Sequence, residues 1–419
     1  MPNRLESLRY LLREIRQGRN TFYQRKLSDI DWEAAGESFA GFRREVPFTT
    51  KSEILADQKE SPPFGNNLTY ARNRYTRYCQ TSGTRSGRPL PWLDTTESWQ
   101  GMLACWEKVF EAAGVRAGEP VMFAFSFGPF LGFWSAYEAA LERGNLCLPG
   151  GGLSGRSRLD LMARTGATTL CCTPTYALRL GEEAVDYPGL SVECVIVAGE
   201  AGGSLPLIRD QISERWGGAA VFDHHGMTEV GPVTYQDAGH PHHLCLIESA
   251  YFAEVIDPKD EMPVEEGAVG ELVLTPLRRV GMPLLRYRTG DLVRLRREEI
   301  EGSQRMIFDG GILGRRDDME VIRGVNVYPG AVEEIVRSFP EVVEYQVEIR
   351  TVREMREMFL EVELRTESPD LVARRLGEDI RDILGLRAHV KVAPAESLPR
   401  YEFKAKRWRR DEDGKSDSI

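Results

Sequence analysis

Between residues 95 and 200 the chain repeats one pattern, a short apolar run followed by a connecting segment and another apolar run. The runs are VMFAFSF (121–127), NLCLP (145–149), TTLCCTP (168–174) and SVECVIVAGE (191–200), and a helix-like stretch, FLGFWSAYEAALERG (130–144), joins the first two. Short runs without polar alternation suit strands covered on both faces. Their alternation with helices is the mark of a parallel sheet. The reading is an α/β main domain. Little else in the chain restricts the fold as strongly, because parallel strands cannot be joined by hairpins and need crossover connections.

The 419 residues exceed what one core usually supports, so further units are expected. In the first 60 residues Leu5, Leu8, Leu11, Leu12 and Ile15 form one apolar stripe at helical spacing, which predicts helices packed on the main body. After about 245 shorter strand-like pieces, YFAEVIDP, GELVLTP and DLVRL, are separated by Pro, Gly and Asp clusters, the pattern of a more antiparallel β subdomain. Beyond about 317 come EVIRG, the helix-like AVEEIVRSF, YQVEIRTV, FLEVELRT, a helix over 369–384 and HVKVAP, enough for a small α+β domain. The charged tail after about 408 reads as frayed.

Composition removes several functions. The net charge of -10 gives no global attraction for nucleic acid, and none is expected as a partner. No window approaches 18 to 20 consecutive apolar residues, so no membrane-spanning helix is expected. The N-terminal segment is charged throughout and lacks the pattern of a signal peptide. Seven scattered cysteines read as reduced thiols, and a cytoplasmic protein is expected.

Five segments carry candidate chemistry, in order. Gln80-Thr81-Ser82-Gly83-Thr84-Arg85-Ser86-Gly87-Arg88-Pro89 combines glycines, hydroxyls and guanidinium groups, which suits an anion cradle, although P-loop spacing is absent. Read alone it would pass for a surface loop. Ala198-Gly199-Glu200 closes an apolar run, at the strand end where open parallel sheets bind ligands. Then come Asp223-His224-His225-Gly226-Met227-Thr228-Glu229, the stretch Arg286-Tyr287-Arg288-Thr289-Gly290-Asp291, and Gly314-Arg315-Arg316-Asp317-Asp318 leading to Ile322-Arg323-Gly324-Val325-Asn326-Val327-Tyr328-Pro329. Last is Leu398-Pro399-Arg400-Tyr401-Glu402-Phe403-Lys404-Ala405-Lys406.

Taken together these segments resemble the motifs of the adenylate-forming superfamily of acyl-CoA synthetases, adenylation domains and luciferases. RYRTGD, GRRDDMEVIRGVNVYP and LPRYEFKAKR are most similar to those of the phenylacetate-CoA ligase group, and the resemblance spans residues 80 to 406. It implies a large N-terminal domain (1–316) that binds ATP and acid, and a small, mobile C-terminal domain (317–419) that carries a catalytic lysine. The implied activity is an acid–thiol ligase using ATP, Mg²⁺ and coenzyme A, first forming an acyl-adenylate with release of pyrophosphate and then an acyl thioester. The resemblance also leaves two alternatives: transfer of the acyl group to a carrier-protein thiol or an amine, and a non-catalytic nucleotide- or ligand-binding relative. A monomer or homodimer would serve any of these.

The resemblance assigns roles by position. Ser82, Gly83, Thr84, Arg85, Ser86, Gly87 and Arg88 fall to the β- and γ-phosphates, with Arg85 an added residue relative to the group's pattern. Gly199, Glu200, His224, His225, Gly226 and Met227 fall to the nucleotide, with His225 where the family usually has a tyrosine on adenine. Thr228 falls to the α-phosphate and Glu229 to Mg²⁺, for which a carboxylate oxygen is suited. Asp291 has two acceptor oxygens for the ribose hydroxyls. Arg315 helps hold ribose and phosphate, and Asp317 is the hinge. Lys404 is the catalytic lysine, whose ammonium would stabilise charge as carboxylate attacks phosphate. Phe403 stands in place of a usual glycine, and Lys406 is a rival lysine.

Phe125, Phe127, Gly128, Phe130 and Phe133 form an aromatic cluster after a strand whose position resembles the aryl-binding stretch of phenylacetate-type ligases, and Phe125, Phe127, Gly128 and Ala198 are the acyl-pocket candidates. An aromatic acid is the implied substrate, although such aromatic clusters commonly serve as core. Some relatives hold a structural zinc near the position of His240, His242, His243 and Cys245. The usual cysteine spacing is absent here.

Overall fold

The computed structural model describes residues 3–81, 89–200, 202–300, 303–323, 325–352, 355–401 and 405–410. The apolar runs form a five-stranded parallel sheet in the order Leu146–Pro149, Pro120–Phe123, Thr169–Cys172, Cys194–Ala198, Ala220–His224. Alternate side chains of each strand enter two separate apolar clusters. Val121, Phe123, Cys171 and Ile196 pack with the helices Thr96–Ala112 and Leu131–Glu142. Met122, Leu170, Cys172, Val195 and Val197 pack with Gly155–Thr165, Pro174–Ala184 and Pro206–Arg215. Both faces are buried, which explains why the strands read as unbroken apolar runs.

Each run is longer than its strand. The first ends at Phe123, and residues 124–127 leave the sheet. Phe127 there has φ 49°, a left-handed turn, and Gly128-Pro129 follows before the helix Leu131–Glu142 begins. Proline has no N–H to extend a ladder, so the apolar residues after Phe123 become a turn instead.

The N-terminal stripe forms the helix Arg4–Gln17, started by a capping box in which Asn3 and Glu6 each bond the other's backbone amide. Leu8, Leu11, Leu12 and Ile15 are buried against Phe252, Leu277, Val280 and Leu285. Those partners flank or belong to the second sheet. Its six antiparallel strands run in the order Thr234–Tyr235, His243–Leu246, Ser303–Arg315, Tyr287–Ile300, Val269–Pro276, Tyr251–Ile256. The segment DLVRL is part of a longer strand, Tyr287–Ile300, that pairs with Ser303–Arg315.

From Ile322 onward the apolar residues share a cluster with no earlier member, spread over the helices Pro329–Arg337 and Pro369–Leu384 and a four-stranded mixed sheet. That sheet runs Ala388–Val392, Met355–Leu364, Val342–Val352, Trp408–Arg410. Pro369 opens its helix and Gly385, at φ 69°, closes it. Among the described residues no helix is long and apolar enough to cross a membrane.

Candidate active site

The C-terminal ends of the parallel strands gather most of the candidate residues. Ala198 ends its strand, Gly199 follows with φ 96°, and Glu200 is half-buried just beyond. The neighbouring strand ends at His224 and is followed by a tight hairpin, Gly226–Met227 against Gly231–Pro232. Gly231 has φ 95°, and a side chain there would meet Met102 and Tyr251 at about 3 Å. His225 is fixed at the mouth of this hairpin. Its N–H donates to Thr234 Oγ1 at 2.9 Å, and its carbonyl accepts from Val233 N–H at 2.9 Å.

The adjoining histidines differ. His225 brings Nε2 to 3.2 Å from Asp291 Oδ2. His224 points into the core, where its ring lies 4.4 Å from that of Trp106 and its Nδ1 lies 2.7 Å from the Thr234 carbonyl oxygen. Burial pushes the His224 imidazole down to about 4, against the opposing effect of the Thr234 contact and with a further push from His225. It is a neutral core side chain at neutral pH, and Nδ1 then carries the proton and donates it to that carbonyl.

Asp291 and Arg315 are cross-strand partners in the second sheet. Arg315 donates to Asp291 Oδ1 at 2.8 Å and to the Thr289 carbonyl at 3.1 Å. Burial lowers the Arg315 value, but the carboxylates of Asp291, Asp318, Asp317 and Glu229 outweigh it and hold the guanidinium charged. Gly290, at φ 77°, makes the turn between Thr289 and Asp291, and a side chain there would lie 3.2 Å from the guanidinium. Asp317 sits in the short 3-10 turn Arg316–Asp318 that leads out of the strand, its Oδ2 4.0 Å from Arg315.

Glu229 is buried, and its Oε1 accepts from Lys51 Nζ at 3.0 Å. Burial raises the Tyr287 phenol well above its usual value, and Glu229 raises it further. Thr228, half-exposed beside it, is held by its backbone, because its carbonyl accepts from Arg279 Nη1 at 2.6 Å. The same guanidinium makes two bonds to Asp94, at 2.7 and 2.6 Å, with both side chains almost fully buried. Lys51, Asp94 and Arg279 were not visible as site residues in the sequence. Lys51 opens an N-terminal helix, and Arg279 reads as a solvated charge until the fold places Asp94 under it.

Phe125, Phe127 and Gly128 follow the strand Pro120–Phe123, two strands from Ala198 on the same edge of the sheet. Phe125 stacks on Phe133 with ring centres 4.2 Å apart, and Phe130 meets Phe133 edge-on at 5.9 Å. Phe127 packs edge-on against Trp134 and Tyr137. Phe125 is buried whereas Phe127 is half-exposed. This turn also touches the start of the segment 80–89, since Gln80 N–H donates to the Pro129 carbonyl at 2.8 Å. Thr81 and Leu90 close the base of that loop through two hydrogen bonds, at 3.1 and 3.0 Å. The loop residues Ser82 to Arg88 lie outside the described residues, as do Phe403 and Lys404.

The histidines near Cys245 are engaged elsewhere. His243 Nε2 lies 3.0 Å from Asp309, and His240 lies beside Asp237 and Glu298. Among the described residues no group of three or more His, Cys, Asp or Glu could hold a metal ion, so the structure gives no support to a zinc site at Cys245. A magnesium ion asks less of the protein, one or two carboxylates with phosphate and water completing its shell. Glu229 fits that demand, and its carboxylate already faces a positive charge in Lys51.

Residues 324–410 match the AMP-binding enzyme C-terminal domain family. The chain is 32% identical over 372 residues to a phenylacetate-coenzyme A ligase of Thermus thermophilus, covering 86% of this chain and 79% of that protein. The chain belongs to the phenylacetate-coenzyme A ligase family. Its members are AMP-forming acid–CoA ligases of the adenylate-forming superfamily. Among solved structures, a 2-hydroxyisobutyryl-CoA ligase in the postadenylation state, bound to an acyl-AMP, superposes with a TM-score of 0.90 at 26% identity, over 98% of this chain and 89% of that one. The same ligase in its thioesterification state, with 2-HIB-AMP and CoA, superposes at 0.70 and 26% identity, over 97% and 89%. The present structure thus superposes more closely on the postadenylation state of that ligase than on its thioesterification state.

Proposed function

We propose that the protein joins a carboxylic acid, first among them an aromatic acid, to the α-phosphate of ATP and then transfers the acyl group to coenzyme A. In the first step a carboxylate oxygen bonds to the α-phosphorus and pyrophosphate leaves. In the second the thiol sulfur bonds to the acyl carbon, AMP leaves and the thiol proton goes to solvent. The observation that carries the reading is the group Asp291, Arg315 and His225, with Glu229 close by, on the ligand-binding edge of the sheet in a member of this ligase family.

Asp291 accepts the ribose hydroxyls, Arg315 supplies positive charge beside ribose and phosphate, and His225 offers an imidazole face to adenine. Gly199, Glu200, Gly226 and Met227 shape the floor around them, and His224 acts by holding His225 in place. Ser82 to Arg88 receive the outer phosphates. Thr228 meets the α-phosphate, and Lys404 bridges it to the acid. Glu229 would hold Mg²⁺, which supplies charge neutralisation for the phosphates. The domains divide at 316/317, with Asp317 the hinge. Phe125, Phe127, Gly128 and Ala198 line the acid. A cytoplasmic monomer or homodimer suffices.

The test is ATP–pyrophosphate exchange over aryl, heteroaryl and short aliphatic acids with Mg²⁺, followed by product masses with and without coenzyme A. Exchange with an aryl acid and an acyl-CoA product is expected. Exchange without an acyl-CoA product would point to a carrier-protein thiol or amine as acceptor, and no exchange with any acid would remove the mechanism.

A further inference from the structure

Glu200 joins two parts of the molecule that share no apolar cluster. One carboxylate oxygen accepts the Thr175 N–H at 2.8 Å, and the other accepts the Ala405 N–H at 3.0 Å. Thr175 lies in the first turn of the helix Pro174–Ala184, against the parallel sheet. Ala405 lies in the segment that closes the C-terminal unit. That segment is fastened to its own side at both ends. Glu363 accepts from Leu398 N–H and from Arg400, Arg407 holds Glu344 at 2.7 Å, and the Tyr401 hydroxyl donates to the Lys406 carbonyl at 2.8 Å. Leu398, Arg400 and Arg407 are therefore held to the small domain, and Glu200 ties Ala405 to the large one. The Ala405 N–H is also part of the peptide bond that joins Lys404 to Ala405.

We propose that Glu200 is a positioning residue, a latch that fixes the peptide following Lys404 for the adenylating step and releases it for the thioester step. The proposal rests on the ligase reading above. Three observations support it. The bond exists in a domain arrangement that superposes on a postadenylation state with a TM-score of 0.90 and on the thioesterification state of the same relative with 0.70. It is charge-assisted and shorter than another tie between the two parts, from Gln211 Nε2 to the Arg337 carbonyl at 3.3 Å. Both carboxylate oxygens are occupied by backbone amides, so a single side chain couples the large-domain helix to the small-domain segment. A glutamine could satisfy only one of these amides, since its second terminal atom is a donor.

The test compares the full-length wild type with Glu200→Gln in two ways. Trypsin, without ligands, should cut after Lys404 and Lys406 severalfold faster in the variant, read by mass spectrometry, while cuts within the large domain and the melting temperature stay unchanged. With phenylacetate as probe, ATP–pyrophosphate exchange should fall roughly tenfold or more, the scale of one charge-assisted hydrogen bond. Thioester formation from synthetic phenylacetyl-adenylate and coenzyme A should fall clearly less than exchange does, because the latch is open in that step and only the contact of Glu200 with the nucleotide is affected. Equal cleavage rates in the two proteins would overturn the latch. So would a parallel loss of both half-reactions, which marks a merely structural residue. If wild type exchanges with no acid, the ligase reading fails, and the cleavage comparison alone decides whether Glu200 holds the segment.

Discussion

Replacing Asp94 with asparagine tests how the site is supported from below. Asp94 is fully buried, and Arg279 beside it is 2% exposed. The carboxylate takes two hydrogen bonds from the guanidinium, whose third nitrogen holds the Thr228 carbonyl, and the Trp92 ring lies 5.3 Å from the guanidinium carbon. Asparagine keeps the volume but removes the charge and turns one acceptor into a donor facing donors. A buried pair broken on one side costs about 3–5 kcal/mol, most of it the desolvated charge left behind. The double variant Asp94→Leu/Arg279→Met, which removes both charges, should recover much of that loss while still freeing Thr228. Urea unfolding followed by tryptophan fluorescence reads this directly, because six of the seven tryptophans precede residue 217. Pyrophosphate exchange should fall in both variants, since each removes the anchor of the Thr228 backbone. An asparagine variant within about 1 kcal/mol of wild type would refute the argument that Arg279 depends on Asp94 for its charge.

Asp291→Asn should raise KM for ATP roughly tenfold, the loss expected when a charged acceptor becomes neutral, with thermal melting followed in parallel to separate binding from folding. Lys51→Met removes the ammonium from Glu229 and should lower the Mg²⁺ concentration needed for half-maximal exchange; an unchanged or raised requirement would contradict the reading that lysine and metal compete for one carboxylate. His224 gives a pH prediction. Its folded value of about 4 lies below the ordinary 6.5, so the unfolded chain takes up the proton first as pH falls. The native state should therefore keep this contribution above pH 6.5 and lose up to about 3 kcal/mol of it on the way to pH 4. Unfolding free energies of wild type and His224→Asn across that range should converge at the acid end; parallel curves would overturn the assignment.

The parts of the fold that were legible in the sequence are those whose signals are local. The runs at 168–174 and 191–200 announced parallel strands because burial on both faces leaves no regular alternation of polar and apolar side chains. The helix at 369–384 was readable at both ends because proline and glycine mark them by their own backbone preferences. Boundaries were legible only where such residues stand, and the run at 121–127 overshot its strand because an apolar turn and an apolar strand look alike in one dimension.

The site divides along the same line. His225, Glu229, Asp291 and Arg315 were found because each sits in a short contiguous motif whose order is informative. Lys51 and Arg279 were missed because their meaning lies in partners 178 and 185 positions away, Glu229 and Asp94. His224 and His225 show where motif reasoning stops. Adjacent in sequence and alike in chemistry, they end in different surroundings, one neutral in the core and one facing Asp291. Composition does not separate them, whereas the end of the strand does, since His224 is the last residue of Ala220–His224 and His225 lies just past it, bonded through its backbone to Thr234 and Val233. The structural difference between the two histidines is thus a consequence of where the strand ends, and exchanging their environments would require moving the register of the strand Ala220–His224 by one residue.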